Sequence, residues 1–520
     1  MNESDDIGQQ RELIDALAAS LRNRHGKAAL FETHISWVLV AGGYAYKFKK
    51  AVRFDFLDFS RLDARRRYCE EELRLNKRLA PDIYLGVLAV RGSIRQPLLE
   101  GAGTPMEYCV KMRAFAQEAL WTYRLAHKLL SSEEIDMLAD EVAHFHLAVA
   151  VAPASTAWGE PAVLQRIAQD NHTQIAGVVR GRAAQWESDV RRWTSEQQAS
   201  LEPVFAERKR RGRVRECHGD LHSGNILTID GKVMAFDCIE FNDSLRWIDV
   251  INDIAFVCMD LQFQGRHDLA ARCLNRYLET GGDYEGARVL RYYIVQRALV
   301  RSKVAFLRMR QPGMKPSKAR MHEREGLRYL WFAAKSVKAQ PVALMITHGF
   351  SGSGKSVLAR QVVECMGAVQ LRSDVERKRL HGASDPELYL PQATQRTYRR
   401  LLALARMLIA AGMPVVVDAA FLKQGQRREF LNLGGELAVP FFIFDLRTSE
   451  ATMRSRVALR AQLGQDASDA GIDVLENQLR NHEPLSEEEI VHAITVDGEA
   501  GMNPETVQSL CKRAILSRIA

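Results

Sequence analysis

One eight-residue stretch limits the fold more than any other. Gly349-Phe350-Ser351-Gly352-Ser353-Gly354-Lys355-Ser356 satisfies G-x-x-x-x-G-K-[ST] at every defined position. The apolar run Leu344-Met345-Ile346-Thr347-His348 precedes it, and helix-forming Val357-Leu358-Ala359-Arg360 follows. The segment therefore reads as strand, glycine-rich loop and helix, the setting this motif requires. Glycines permit positive φ and close backbone approach. Successive amides can then point inward as an anion nest at a helix N-terminus. Residues 349–357 are thus expected to cradle a nucleotide's phosphates, with Lys355 reaching the β- and γ-phosphates and the Ser356 hydroxyl ligating Mg²⁺.

The surrounding pattern extends this reading. Short apolar runs at 342–347, 368–371, 415–417, 441–446 and 490–496 alternate with helical patterns at 356–365, 394–411, 424–433, 449–463 and 504–517. Such alternation predicts a parallel sheet covered on both faces. Asp374 follows the second strand, at the carboxyl end where ligands bind in open α/β sheets. It is placed to take a proton from an acceptor hydroxyl; a helix N-cap is the alternative. Arg377, one turn on, suits an anionic part of that acceptor. Asp418 ends the third strand as a candidate Mg²⁺ ligand, or else a cap. Arg454, Arg456 and Arg460 lie on one helix, where they could close on transferring phosphate or form a solvated basic face.

These residues resemble the small P-loop kinases, a group that includes gluconate kinase, the zeta toxins, chloramphenicol phosphotransferase and the 5′-hydroxyl polynucleotide kinase domain. The resemblance spans about residues 341–500 and is most specific at the phosphate loop and at Ser373-Asp374-x-x-Arg377. It implies a P-loop NTPase fold with a five-stranded parallel sheet and a helical lid near 454–478. It also implies that Lys355 and Ser356 bind ATP-Mg, that Asp374 is the acceptor base, and that Arg454, Arg456 and Arg460 are lid arginines.

A second constellation stands at Cys217-His218-Gly219-Asp220-Leu221-His222-Ser223-Gly224-Asn225-Ile226-Leu227, followed by Lys232-Val233-Met234-Ala235-Phe236-Asp237. Asp, Asn and Asp at this spacing form a kinase catalytic set of base and two metal ligands. Asp220 would meet the acceptor hydroxyl, while Asn225 and Asp237 supply hard oxygens for Mg²⁺. His218 and His222 are four apart, but Gly219 and Gly224 oppose the helix that a zinc pair would need.

This stretch resembles the aminoglycoside phosphotransferase and choline kinase group, in which H-G-D-x-x-x-x-N replaces H-R-D-x-x-x-x-N. The resemblance covers roughly residues 25–310 and implies an α+β, protein-kinase-like bilobal fold with ATP in the cleft. Asp249 or Asp253 resembles the aspartate that buttresses the catalytic loop, and Asp253, before Ile254-Ala255, fits better. Tyr44-Ala45-Tyr46-Lys47-Phe48-Lys49 resembles the strand bearing the phosphate-binding lysine. Lys47 and Lys49 share a strand face; Lys47 is preferred, with Glu72 as partner over Glu70 and Glu71. No G-x-G-x-x-G loop is present, and Gly42-Gly43 lies too close to Lys47 to serve as one.

The whole chain resembles bacterial proteins in which an aminoglycoside-phosphotransferase-like domain is fused to a P-loop kinase domain; the Ala80-Pro81-Asp82-Ile83-Tyr84-Leu85-Gly86-Val87 segment fits as well. Residues 1–310 and 341–520 are taken as the two domains, joined by 311–340. The 520 residues carry a net charge of +8, which favours anionic ligands without choosing among them. No run reads as membrane-spanning, and eight scattered cysteines without C-x-x-C fit a reducing cytoplasm. The expected function is ATP- and Mg²⁺-dependent transfer to a hydroxyl of a small molecule at two sites. One alternative is a regulatory protein whose first domain binds nucleotide and gates the second. The other is a nucleic-acid 5′-hydroxyl kinase, disfavoured because aromatic platforms beside basic residues are sparse. Oligomeric state is not legible.

Overall fold

The computed structural model describes residues 3–54, 57–311, 313–382, 387–388, 390–463, 471–499, 507 and 509. The chain forms two compact units, residues 1–168 with 200–260, and residues 169–199 with 261–520. The sequence reading draws its division within 311–340. In the structure the helices Ala287–Met309 and Pro316–Ser336 pack together in one unit. Phe263 stacks on Tyr329 there, with ring centroids 3.8 Å apart.

In the first unit an antiparallel six-stranded sheet runs in the order Ala28–Glu32, Ser36–Ala41, Tyr44–Lys49, Glu107–Arg113, Tyr84–Ser93, Gln96–Leu99. Gly42 and Gly43, both at positive φ, close the hairpin that places Val38 opposite Lys47. Positive φ at both central positions is what a two-residue turn between right-twisted strands requires. The helix Glu3–His25 covers one part of the sheet through Leu13, Ile14, Leu17 and Leu21, a helical apolar stripe. The helix Leu62–Asn76 turns Arg65, Cys69, Glu72 and Asn76 inward at intervals of three and four. Arg65 pairs with Glu107 at 2.9 Å. Beyond the sheet, the strand Val214–Glu216 pairs antiparallel with Trp247–Asp249, and the hairpin Ile226–Ile229/Lys232–Ala235 follows the Asp220 loop. This is the bilobal kinase-like plan expected for the first region.

The second unit contains a five-stranded, wholly parallel sheet in the order Val369–Arg372, Val415–Asp418, Leu344–His348, Phe441–Arg447, Ala493–Asp497. The three central strands are buried almost throughout, as double-sided cover demands. Helices Lys355–Met366, Pro391–Ala410 and Gln424–Glu436 connect them. The last strand begins at Ala493, because Glu487–Ile490 is a short helix with a capping box from Ser486 and Glu489. The expected helix at 504–517 lies outside the described residues, apart from 507 and 509. A further helix, His267–Gly281, packs on this sheet: Ala271 joins the core formed by Leu358, Val362, Val416 and Phe444.

Candidate active sites

In the first unit the loop bearing Asp220 hangs between two strands and is held from below. The Asp253 carboxylate, fully buried, accepts the amides of His218 (2.8 Å) and Gly219 (2.9 Å), and His146 Nε2 lies 3.2 Å from it. Asp249 is engaged elsewhere, with Arg208 at 2.6 and 2.8 Å. Gly219 has φ +88, and a Cβ there would sit 2.7 Å from the Leu245 carbonyl oxygen, so no larger residue fits this turn. Burial lowers the His218 pKa, which favours the neutral ring. His218 then donates from Nε2 to the Phe236 carbonyl (2.9 Å) and accepts the Asp220 amide at Nδ1 (3.2 Å). The two histidines of the motif serve different partners, since His222 Nδ1 accepts the Gly224 amide.

Asn225 Nδ2 donates to both the carbonyl and the Oδ2 of Asp220, each at 3.0 Å. Asp237, at φ +64, presents a carboxylate that is 42 % exposed and salt-bridged to Lys47. Lys47 also donates to Glu72 Oε1 at 2.9 Å. The preferred lysine, its glutamate and the strand-ending aspartate therefore meet in one place. Lys49 binds the other oxygen of Glu72 at 2.7 Å and a further residue, Glu240. Burial by itself would lower the Lys47 ammonium, but Asp237 and Glu72 outweigh it and hold it well above the usual lysine range. Burial would likewise raise the Glu72 carboxyl; Lys47 and Lys49 drive it down instead. Glu240, the more weakly compensated member, is raised by burial. Sequence reasoning missed Glu240 as a partner; only the pairing of Lys47 with Lys49 at strand spacing hints that a second carboxylate is needed. Asn225 and Asp237 offer hard oxygens that suit Mg²⁺.

The hairpin between Ala28–Glu32 and Ser36–Ala41, where a kinase would carry its glycine loop, turns through Thr33, His34 and Ile35. Thr33 Oγ1 accepts the Ser36 amide at 2.9 Å, closing the turn tightly.

In the second unit a cavity of about 280 Å³ opens at the carboxyl ends of the strands. Ser351, Gly352 and Gly354 to Val357 line it from the phosphate loop; Arg372, Asp374, Arg377 and Tyr398 line it from the second strand's side, and Asp418 and Arg456 with Arg460 from two others. Gly352 has φ +82, and a Cβ would lie 2.6 Å from the Met453 carbonyl oxygen. Lys355, opening the helix Lys355–Met366, donates to the Phe350 carbonyl at 2.6 Å. Burial pushes its pKa down to about 8, against the pull of Asp418 and Asp374. The Ser351 amide donates to Gln478 Oε1 (2.8 Å) on the helix Ile472–Asn481, so that lid helix touches the loop directly.

Asp374 sits in the first turn of the helix Ser373–His381 and faces the cavity. Arg377 is nearly buried and donates to the Leu388 carbonyl and Thr394 Oγ1, both at 3.0 Å. Arg456 donates to the Gly498 carbonyl at 2.9 Å. Arg454 stands apart from the cavity lining, paired with Glu450 (2.6 Å) and Glu476 (3.0 Å). Gly349, Phe350 and Ser353 shape the loop without lining the cavity; Phe350 packs with Met453, Val457 and Leu475 beneath the lid. Ser356 and Asp418 share the cavity, and Asp418 Oδ2 accepts from Gln370 Nε2 at 2.9 Å. A hydroxyl and a carboxylate beside a phosphate-cradling lysine fit a nucleotide-bound Mg²⁺.

Residues 56–293 match the family model described as the phosphotransferase enzyme family, and residues 344–485 match that of an AAA domain family. With the site geometry, this defines the class: a kinase that joins a phosphotransferase domain to a P-loop domain. The uncharacterized protein Rv2004c of Mycobacterium tuberculosis is 31 % identical over 450 residues, covering 84 % of this chain and 87 % of its own length. The uncharacterized protein Mb2027c of Mycobacterium bovis matches to the same extent. The chain belongs to the family of these mycobacterial proteins. Among solved structures, a choline/ethanolamine kinase family protein from Mesorhizobium loti is 13 % identical, with 62 % of this chain and 99 % of that chain covered and a TM-score of 0.38. A gluconokinase from Sinorhizobium meliloti is 21 % identical, with 35 % and 95 % covered and a TM-score of 0.26.

Proposed function

We propose that the chain transfers the γ-phosphoryl group of ATP to a hydroxyl of a small molecule, and that it does so at two separate sites. The observation that carries this reading for the P-loop site is that one cavity brings Lys355, Ser356, Asp374 and Asp418 together. The loop amides and Lys355 bind the triphosphate tail, Arg456 and Arg460 balance charge on the transferring group, and Asp374 receives the acceptor's proton. In the first unit Asp220 receives the proton, Asn225 holds its carboxylate, and Lys47, fixed by Glu72, orients the phosphates. Mg²⁺ supplies charge neutralisation at both sites, with Asn225 and Asp237 to hold it in one and Ser356 and Asp418 in the other. Arg372 and Arg377 flank Asp374, which favours an acceptor that itself carries a negative group.

A small-molecule acceptor is favoured over a nucleic-acid strand because the two aromatic rings beside basic residues are each already packed against another ring. Trp247 stacks on Trp158 at 4.8 Å, and Tyr68 packs on Phe59 at 5.1 Å. A cytoplasmic setting agrees with the free cysteines and with the absence, among the described residues, of any helix long and apolar enough to cross a membrane. A second reading, in which the first domain binds nucleotide and regulates the other, draws on the glycine-free turn at Thr33 to Ile35.

The test is a metabolite extract incubated with ATP and followed by mass spectrometry, comparing wild type with Asp220→Ala and Lys355→Ala. Each variant should erase its own set of phosphorylated products. If Asp220→Ala erases none while Lys355→Ala erases all, the regulatory reading of the first domain replaces the dual-enzyme one.

A further inference from the structure

The P-loop cavity rests on a helix outside the stretch that matches the P-loop family. His267–Gly281 lies within the phosphotransferase match, yet its face packs on the parallel sheet. Asn275 and Glu279, one helical turn apart, reach the edge strand Val369–Arg372. Asn275 Oδ1 accepts the Gln370 amide at 2.7 Å, giving an edge-strand N–H its partner. Glu279 Oε1 pairs with Arg372 Nη1 at 3.4 Å. Gln370 and Arg372 are two apart on the strand, so their side chains share a face, and both reach Asp418. Gln370 Nε2 donates to Oδ2 at 2.9 Å, and Arg372 Nε stands 3.8 Å from the same oxygen. Helix spacing of four is matched to strand spacing of two, and the two lines converge on one carboxylate.

Arg372 therefore stands between two carboxylates. Glu279 is 12 % exposed, Arg372 14 % and Asp418 5 %, so water screens the competition weakly. With Glu279 charged, Arg372 divides its attraction and stays in the cavity wall. With Glu279 neutral, Asp418 becomes the stronger anionic partner for Arg372, and its oxygens are withdrawn from a cation.

We infer that Glu279 is a positioning residue for the P-loop site, holding Arg372 off Asp418 and so keeping the Asp418 carboxylate available to Mg²⁺. The inference rests on the assignment of the P-loop cavity made above. Partners of this outer kind typically change metal affinity about 10–100-fold when altered.

The experiment titrates Mg²⁺ against binding of a fluorescent, non-hydrolysable ATP analogue to the full-length chain. Only the binding component abolished by Lys355→Ala is read, since the first unit has its own candidate nucleotide site. Glu279→Gln, which keeps the shape and removes the charge, should raise the Mg²⁺ midpoint about 10-fold and leave affinity in EDTA undiminished. In an Arg372→Met background the same change should have no effect, because the competitor for Asp418 is gone. An unchanged midpoint in Glu279→Gln overturns the inference. So does a shift that persists with Arg372→Met, or an equal loss of affinity with and without Mg²⁺ alongside lower thermal stability. If Lys355→Ala abolishes no component, the cavity assignment itself fails and the role of Glu279 falls with it.

Discussion

Two ammonium groups, the part-buried Lys47 and the fully buried Lys49, divide the oxygens of one fully buried carboxylate, Glu72. Breaking a buried ion pair by removing one partner typically costs about 3–5 kcal/mol, because the other charge is left uncompensated. Glu72→Gln should therefore lower unfolding stability by an amount in that range, measured by denaturant titration; a change within error would mean that Asp237 and Glu240 alone balance the lysines. The Asp220 carboxylate is 37 % exposed and takes its Asn225 hydrogen bond within its own loop, so Asp220→Ala should cut turnover at the first site by about 10²–10⁴-fold and cost less stability than Glu72→Gln. At the other site, Lys355 has a folded-state pKa of about 8, below the ordinary lysine value. From about pH 8 to the ordinary lysine range the unfolded chain holds the extra proton, so this group's contribution to stability rises with pH there. Bound triphosphate favours the charged ammonium and has the opposite sign: affinity should be highest below about pH 8 and fall as pH rises through it. Nucleotide titrations on either side of that value check this, and an affinity that rises with pH would remove Lys355 from the phosphate contact.

Among the elements, the Asp220 loop depends on an acceptor that is distant in sequence. Asp253→Ala would strand the His218 and Gly219 amides in a buried setting. An orphaned buried donor costs about 1–3 kcal/mol, so the expected result is lower thermal stability together with loss of first-site turnover. Asp253→Asn, which keeps one acceptor oxygen, should recover part of the stability. The elements themselves were legible to different degrees. Four of the parallel strands lie where apolar runs between helical patterns place them, since burial on both faces demands continuous apolar residues; the fifth, less buried, starts later than its run, at Ala493. The helix Glu3–His25 is less legible: Leu13, Ile14, Leu17 and Leu21 carry its apolar stripe, but its first two turns are acidic and polar and show no such period. The helix Ser373–His381 agrees with a turn that puts Arg377 one turn after Asp374, although its charged residues show no apolar face.

For the whole molecule, the consequence lies in where the chain can be cut. A fragment of residues 341–520 omits the His267–Gly281 helix. It therefore exposes the face against which Ala271 packs and leaves the Gln370 amide without Asn275. It also loses the Arg272–Glu364 pair, at 2.8 Å. That fragment should be markedly less stable and more prone to aggregate than one spanning 261–520, as read by expression yield and thermal melting. Equal behaviour of the two would show that the P-loop sheet does not need this helix.

The local residue sets proposed for both sites are legible in the sequence alone. A phosphate loop is a run of backbone conformations that glycines at fixed spacing permit, and the candidate set of Asp220, Asn225 and Asp237 needs one short loop and one hairpin to assemble. Both are short-range properties, so a motif can encode them. What only the tertiary structure decided is which distant charges meet: Glu240 with Lys49, Glu279 beside Arg372, and Arg454 turned to Glu450 and Glu476 away from the cavity. Those choices depend on how helices pack on sheets, and burial then makes each pairing strong by removing the water that would otherwise screen it.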